Sequence, residues 1–176
     1  MKNIILLLSL FSFTTIAADN FTLYLVRHAE KQPNMKDPTL TVCGNKRAQQ
    51  LATILAKAKV KAIYSSNYKR TLATAAPLAL QNKLMVNKYD PRDLPLLMTK
   101  LIQAKENTLV VGHSNTTPQL AALLTNKKIS KTKNGEQWLK PLSEDDYQML
   151  YQVQFTDNKT TLTVLQQPLT CDKNKD

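Results

Sequence analysis

Short apolar runs alternate with stretches of helical period along most of this chain, and that alternation is what most restricts its fold. Phe21–Val26, Lys61–Tyr64, Leu84–Tyr89 and Leu109–Val111 have the length and composition of strands. Between them, Ala48, Leu51, Ala52 and Leu55 recur at helical spacing behind Thr41 as a cap. Leu72, Ala75, Ala76 and Ala79 repeat the pattern, with Pro77 as an irregularity able to kink the helix. Asp93–Lys105 and Pro118–Leu124 supply two more helices, and Gln148–Phe155 with Thr160–Leu165 reads as a closing hairpin. Such alternation predicts a three-layer α/β/α sandwich around a mainly parallel sheet. Ligands in such sheets bind beyond the carboxyl ends of the strands.

The first residues stand apart from this pattern. A basic start at Lys2, a nearly all-apolar run from Ile4 to Phe13, and small residues through Ala17 and Ala18 have the order of a secretory signal peptide. We expect residues 1–17 to be a signal peptide and residues 18–176 a single domain, exported to the periplasm or secreted. The apolar run is well short of the ~20 residues a membrane span needs, so no stable insertion is expected after cleavage. Cys43 and Cys171 can form one disulfide in an oxidising compartment or stay as two thiols. They are too few for a structural zinc site.

Twenty-four Lys and Arg against 13 Asp and Glu give a formal charge of +11. Such a surface attracts anions, including phosphorylated small molecules and acidic glycans. Aromatic residues make up 6% and are not interleaved with the basic clusters, which argues against a nucleic-acid stacking platform. The basic loop 126–140 reads most simply as a solvated lysine stretch.

The chemistry-bearing residues gather at the strand ends. Arg27 and His28 follow the first strand, Arg70 follows the second, Asp90 and Asp93 the third, and His113 the fourth. The whole chain has two histidines, and both fall directly after strands. Gly112, one of three glycines, stands where a tight strand-to-helix turn is expected, and Gly44 opens the first helix.

"LVRHAEK", "LTVCGNKRAQQLA", "IYSSNYKRTLATAAPLA" and "VVGHSNT" occur in that order over residues 25–116. They resemble the four motifs of the histidine phosphatase superfamily, also called phosphoglycerate mutase-like, with Ala29 where the family usually has glycine. The resemblance implies a phosphoglycerate mutase-like fold and hydrolysis of phosphomonoesters without metal or other cofactor. It makes His28 the nucleophile that becomes phosphohistidine, Arg27 and Arg70 the phosphate clamp, and His113 a donor to the phosphoryl group. Guanidinium suits the clamp because it stays charged and offers paired donors. The resemblance also suggests Asn34 as a further phosphate contact and a carboxylate after the third strand as proton donor. Asp90 is our choice, with Asp93 and Glu30 as alternatives; Asp93 also stands where a cap for the third helix belongs.

Other chemistries fit less well. A serine nucleophile elbow at "VVGHSN" would need a later histidine, and none follows His113. No His-x-x-x-His spacing suggests a metal hydrolase. An exported, inactive binding protein for anionic glycans or lipid headgroups is the alternative from another class. It would have little reason to carry all four of Arg27, His28, Arg70 and His113. Short connections leave little chain for the lid a mutase needs, so a phosphatase is favoured. Its expected substrate is a phosphorylated small molecule or a cell-envelope phosphosugar.

Overall fold

The computed structural model describes residues 20–126, 139–157 and 159–169. Six strands form one sheet: β1 (Phe21–Arg27), β2 (Ala62–Ser66), β3 (Val86–Tyr89), β4 (Thr108–Gly112), β5 (Met149–Thr156) and β6 (Lys159–Gln166). Their spatial order is β3-β2-β4-β1-β5-β6. The first four strands in that order run parallel, and β5 and β6 join antiparallel beside β1. The sheet is therefore mixed, with the expected parallel centre.

Side chains leave the two faces alternately, as the strand period requires. Leu23, Leu25, Val110, Tyr151 and Val153 pack with Leu97 and Leu101 of α3 (Leu94–Ala104) and Leu120 of α4 (Thr116–Leu124). Val26, Leu109, Val111 and Leu150 form the opposite cluster, with Leu51 of α1 (Val42–Ile54) and Leu78 of α2 (Lys69–Asn82). Burial on both faces explains why β4 is apolar along its centre and buried throughout.

The helix starts have local causes. The Thr41 hydroxyl accepts from the Gly44 N–H at 3.0 Å. Asp93 accepts from the Leu96 N–H at 3.1 Å, so it caps α3. α2 has no cap of its own; Asp37, distant in sequence, accepts from the Lys69 N–H at 3.1 Å. The helix then runs through Pro77 without ending there. With few glycines available, Lys83 and Lys105 take the left-handed conformation after α2 and α3, at φ 54° and 50°.

Residues 1–17, most of the basic loop 126–140 and Cys171 lie outside the described residues. Cys43 is buried on α1 and disulfide-bonded. No described helix is long and apolar enough to cross a membrane.

Candidate active site

Strand register brings the two histidines together. Arg27 of β1 lies opposite Gly112 of β4, and the His28 N–H continues the ladder by donating to the Gly112 carbonyl at 2.9 Å. His28 and His113 thus leave the sheet side by side, with ring centroids 5.7 Å apart. β2 flanks β4 on its other side and leads into α2, whose first turn carries Arg70. Arg70 Nη2 lies 3.5 Å from His113 Nδ1. Arg27, His28, Arg70 and His113 line one cleft of about 370 Å³ at the carboxyl ends of the parallel strands. That is the small end of the range for ligand sites.

Each imidazole is held in a defined tautomer. His28 Nδ1 is 2.8 Å from the Ala29 carbonyl. A carbonyl can only accept, so Nδ1 carries the hydrogen and Nε2 keeps its lone pair. Burial, reinforced by Arg27, Arg70 and His113, lowers the His28 pKa to about 3. A neutral, oriented imidazole is the form that can attack an electrophile. His113 Nδ1 faces the Arg70 guanidinium, which can only donate. Its Nε2–H therefore donates to the Ser66 hydroxyl at 2.9 Å. Ser66 donates in turn to Thr71 at 3.1 Å, and Thr71 to the Ser66 carbonyl at 2.7 Å. Burial first, then Arg70 and Arg27, lower the His113 pKa to about 4.

The arginines are anchored from below. Arg27 is 2% exposed, and its Nη1 donates to the carbonyls of Ser143, Glu144 and Asp146 at 2.6, 3.1 and 3.3 Å. Its guanidinium carbon sits 4.1 Å from the centre of the Tyr147 ring. Arg70 lies over Tyr68 at 4.6 Å and approaches Asp37 at 3.6 Å. The Nε atoms of Arg27 and Arg70 are buried without a hydrogen-bond partner. Two unsatisfied charged donors at one cleft suit an anion able to accept from both. Ser114, Asn115 and Thr116, at the start of α4, line the same cleft, and a helix N-terminus favours negative charge.

The segment Ser143–Tyr147 escaped the sequence reading. Its signal was present, since Glu144, Asp145 and Asp146 gather three of the chain's 13 acidic residues in one place. Glu144 lines the cleft and pairs with Arg27 Nη2 at 3.3 Å, with its side chain 80% exposed.

The structure sets the expected proton donor apart from the histidines. Asp90 does not line the cleft with the histidines. Its carboxylate accepts from Arg92 Nε at 2.9 Å and from Nη2 at 2.7 Å, and these bonds lower its pKa to about 2. Asp93 caps α3, as described above. Glu30 is bound through both oxygens by Arg47, the shortest contact being 2.6 Å. Asn34 is exposed in the left-handed region, at φ 58°, and does not line the cleft either.

The glycines serve close approach. A Cβ on Gly44 would meet the Glu30 carbonyl oxygen at 2.2 Å, so α1 rests directly on the backbone after His28. Gly112 has no positive φ. A Cβ there would meet the hydroxyls of Thr116, Thr117 and Tyr89 at 2.9 to 3.0 Å. The expected turn requirement is thus replaced by crowding.

A phosphoglycerate mutase-like α/β fold with a cationic, two-histidine cleft is the class these features define. Residues 23–92, somewhat under half of the chain, match the family model of the histidine phosphatase superfamily (branch 1). Phosphoserine phosphatase 1 of Hydrogenobacter thermophilus is 41% identical over 75 residues. That match spans 39% of this chain and only 36% of that protein. Among solved structures, alpha-ribazole phosphatase from Shigella flexneri superposes with a TM-score of 0.63 at 16% identity, over 82% of this chain and 96% of that one. A mycobacterial glucosyl-3-phosphoglycerate phosphatase gives 0.62 at 14%, over 86% and 100%. At such identities the structural likeness establishes the fold.

Proposed function

We propose that this protein is a metal-independent phosphomonoesterase acting through a phosphohistidine on His28. The observation that carries the reading is the convergence of a neutral His28, with Nε2 free, and the guanidinium groups of buried Arg27 and half-buried Arg70 on one small cleft. Arg27 and Arg70 hold the phosphoryl oxygens while Nε2 of His28 attacks phosphorus and the ester P–O bond breaks. A bound dianion reverses the local field at His113, which then binds a proton at Nδ1 and gives it to the departing oxygen. In the second step His113 takes a proton from water as the water oxygen attacks phosphorus and the P–N bond breaks. With no expected carboxylate at the cleft, substrates with good leaving groups react fastest.

The leader composition of residues 1–17 supports export, and so a phosphorylated small molecule of the periplasm or cell envelope as substrate. Hydrolysis of a chromogenic phosphomonoester in the presence of a chelator tests the activity. The wild-type protein turns over, and His28→Ala does not while keeping its circular dichroism. Full turnover by that variant would refute the reading.

A further inference from the structure

We propose that Arg92 and Lys31 form a second anion subsite beside the phosphoryl pocket, so the substrate is a phosphomonoester with a second acidic group. The proposal rests on the phosphatase reading above and concerns the part of the substrate that does not react.

Burial separates two tiers of positive charge in the cleft. Arg27 and His28 are 2% and 3% exposed, and they form its floor. The Arg92 side chain is 88% exposed, and Lys31 is half-buried, yet both line the same cleft. Lys31 has no ion-pair partner among the described residues.

Arg92 is pinned in place. Pro91 restricts the turn before it. The Arg92 N–H donates to Asp90 Oδ1 at 3.0 Å, while Nε and Nη2 bind the same carboxylate side-on. Asp90 lines a neighbouring hollow with Asn67, Tyr68 and Lys88, which neither histidine lines and which Arg92 shares with the histidine cleft. The side-on pairing occupies one edge of the guanidinium fork and leaves its Nη1 end available to another acceptor. A long exposed side chain ordinarily keeps its rotamer freedom. Here two of its nitrogens, Nε and Nη2, are held by Asp90 beside a cleft that already holds a phosphoryl group's worth of donors. A carboxylate or second phosphate is the chemistry that a fork and an ammonium together recognise. Asp90 then has a role, as the positioning residue for Arg92.

The test compares phenyl phosphate with 3-carboxyphenyl phosphate, which differ by one carboxylate. In the wild-type protein, kcat/KM is expected to favour the carboxylated ester. Arg92→Ala lowers the ratio of the two kcat/KM values about tenfold, the worth of one charge-assisted hydrogen bond, and Lys31→Ala lowers it in the same direction. Asp90→Ala raises KM for the carboxylated ester more than it lowers kcat, whereas loss of a proton donor would lower kcat on both esters. Calorimetric binding of both esters to His28→Ala, with and without Arg92→Ala, reads the same discrimination without turnover. Discrimination in binding with no hydrolysis by the wild type would sustain the subsite and refute the phosphatase. Hydrolysis with a ratio indifferent to Arg92 would do the reverse.

Discussion

Replacing His28 by asparagine reports on the state of the imidazole through stability alone. Asparagine keeps an N–H donor for the Ala29 carbonyl and removes the titration. In the folded protein His28 has a pKa of about 3, against 6.5 for the unfolded chain. Above pH 7 both states are neutral at this site and it contributes no pH dependence. As pH falls below 6.5, the unfolded chain binds a proton that the folded chain refuses until pH nears 3, so stability is lost on acidification. At about 1.4 kcal/mol per pKa unit, the loss for His28 is about 2 kcal/mol by pH 5. His113 titrates in the same window but is present in both proteins, and the chain has no third histidine. Urea unfolding of wild type and His28→Asn at pH 8 and pH 5 isolates the difference. The drop between the two pH values is expected to be smaller in the variant by about 2 kcal/mol. Equal drops would mean that His28 titrates like an exposed imidazole, and the argument for a buried neutral nucleophile would fail.

Other expectations follow from single contacts. Gly44→Ala forces α1 off the Glu30 backbone and is expected to cost about 3 kcal/mol in chemical denaturation; a loss below 1 kcal/mol would show that the helix shifts freely. Ser66→Ala removes the acceptor of the His113 Nε2–H and is expected to lower kcat about tenfold with little change in KM. Unchanged kcat would mean that the His113 tautomer is held in some other way. Glu144→Gln releases Arg27 Nη2, so calorimetry should find inorganic phosphate bound about threefold more tightly. Equal or weaker binding would show that Glu144 does not compete for Arg27.

Much of the layout was legible because strand period and burial agree. β4 is covered on both faces, so it appears in the sequence as an unbroken apolar run that ends at Gly112 and His113. The positions of His28, Arg70 and His113 follow from strand ends alone. What escaped depends on which side chains touch, whether near or distant in sequence. Nothing local to Asp90 reveals that Arg92 binds its carboxylate, since the same "YDPRDL" stretch would suit a proton donor. Arg27 offered a converse case: its partners Ser143 to Tyr147 lie more than a hundred residues away, beyond the basic loop. Gly112 was singled out for a turn, but its need comes from three hydroxyls supplied by α4 and β3.

The most direct measurement is to mix the wild-type protein with a phosphomonoester carrying a labelled phosphoryl group, quench within milliseconds and map the label. We expect an acid-labile, base-stable phosphoryl group on His28 that disappears as inorganic phosphate accumulates. Label found on Ser114, or phosphate released at the full rate with no adduct on His28, would contradict covalent catalysis at this imidazole.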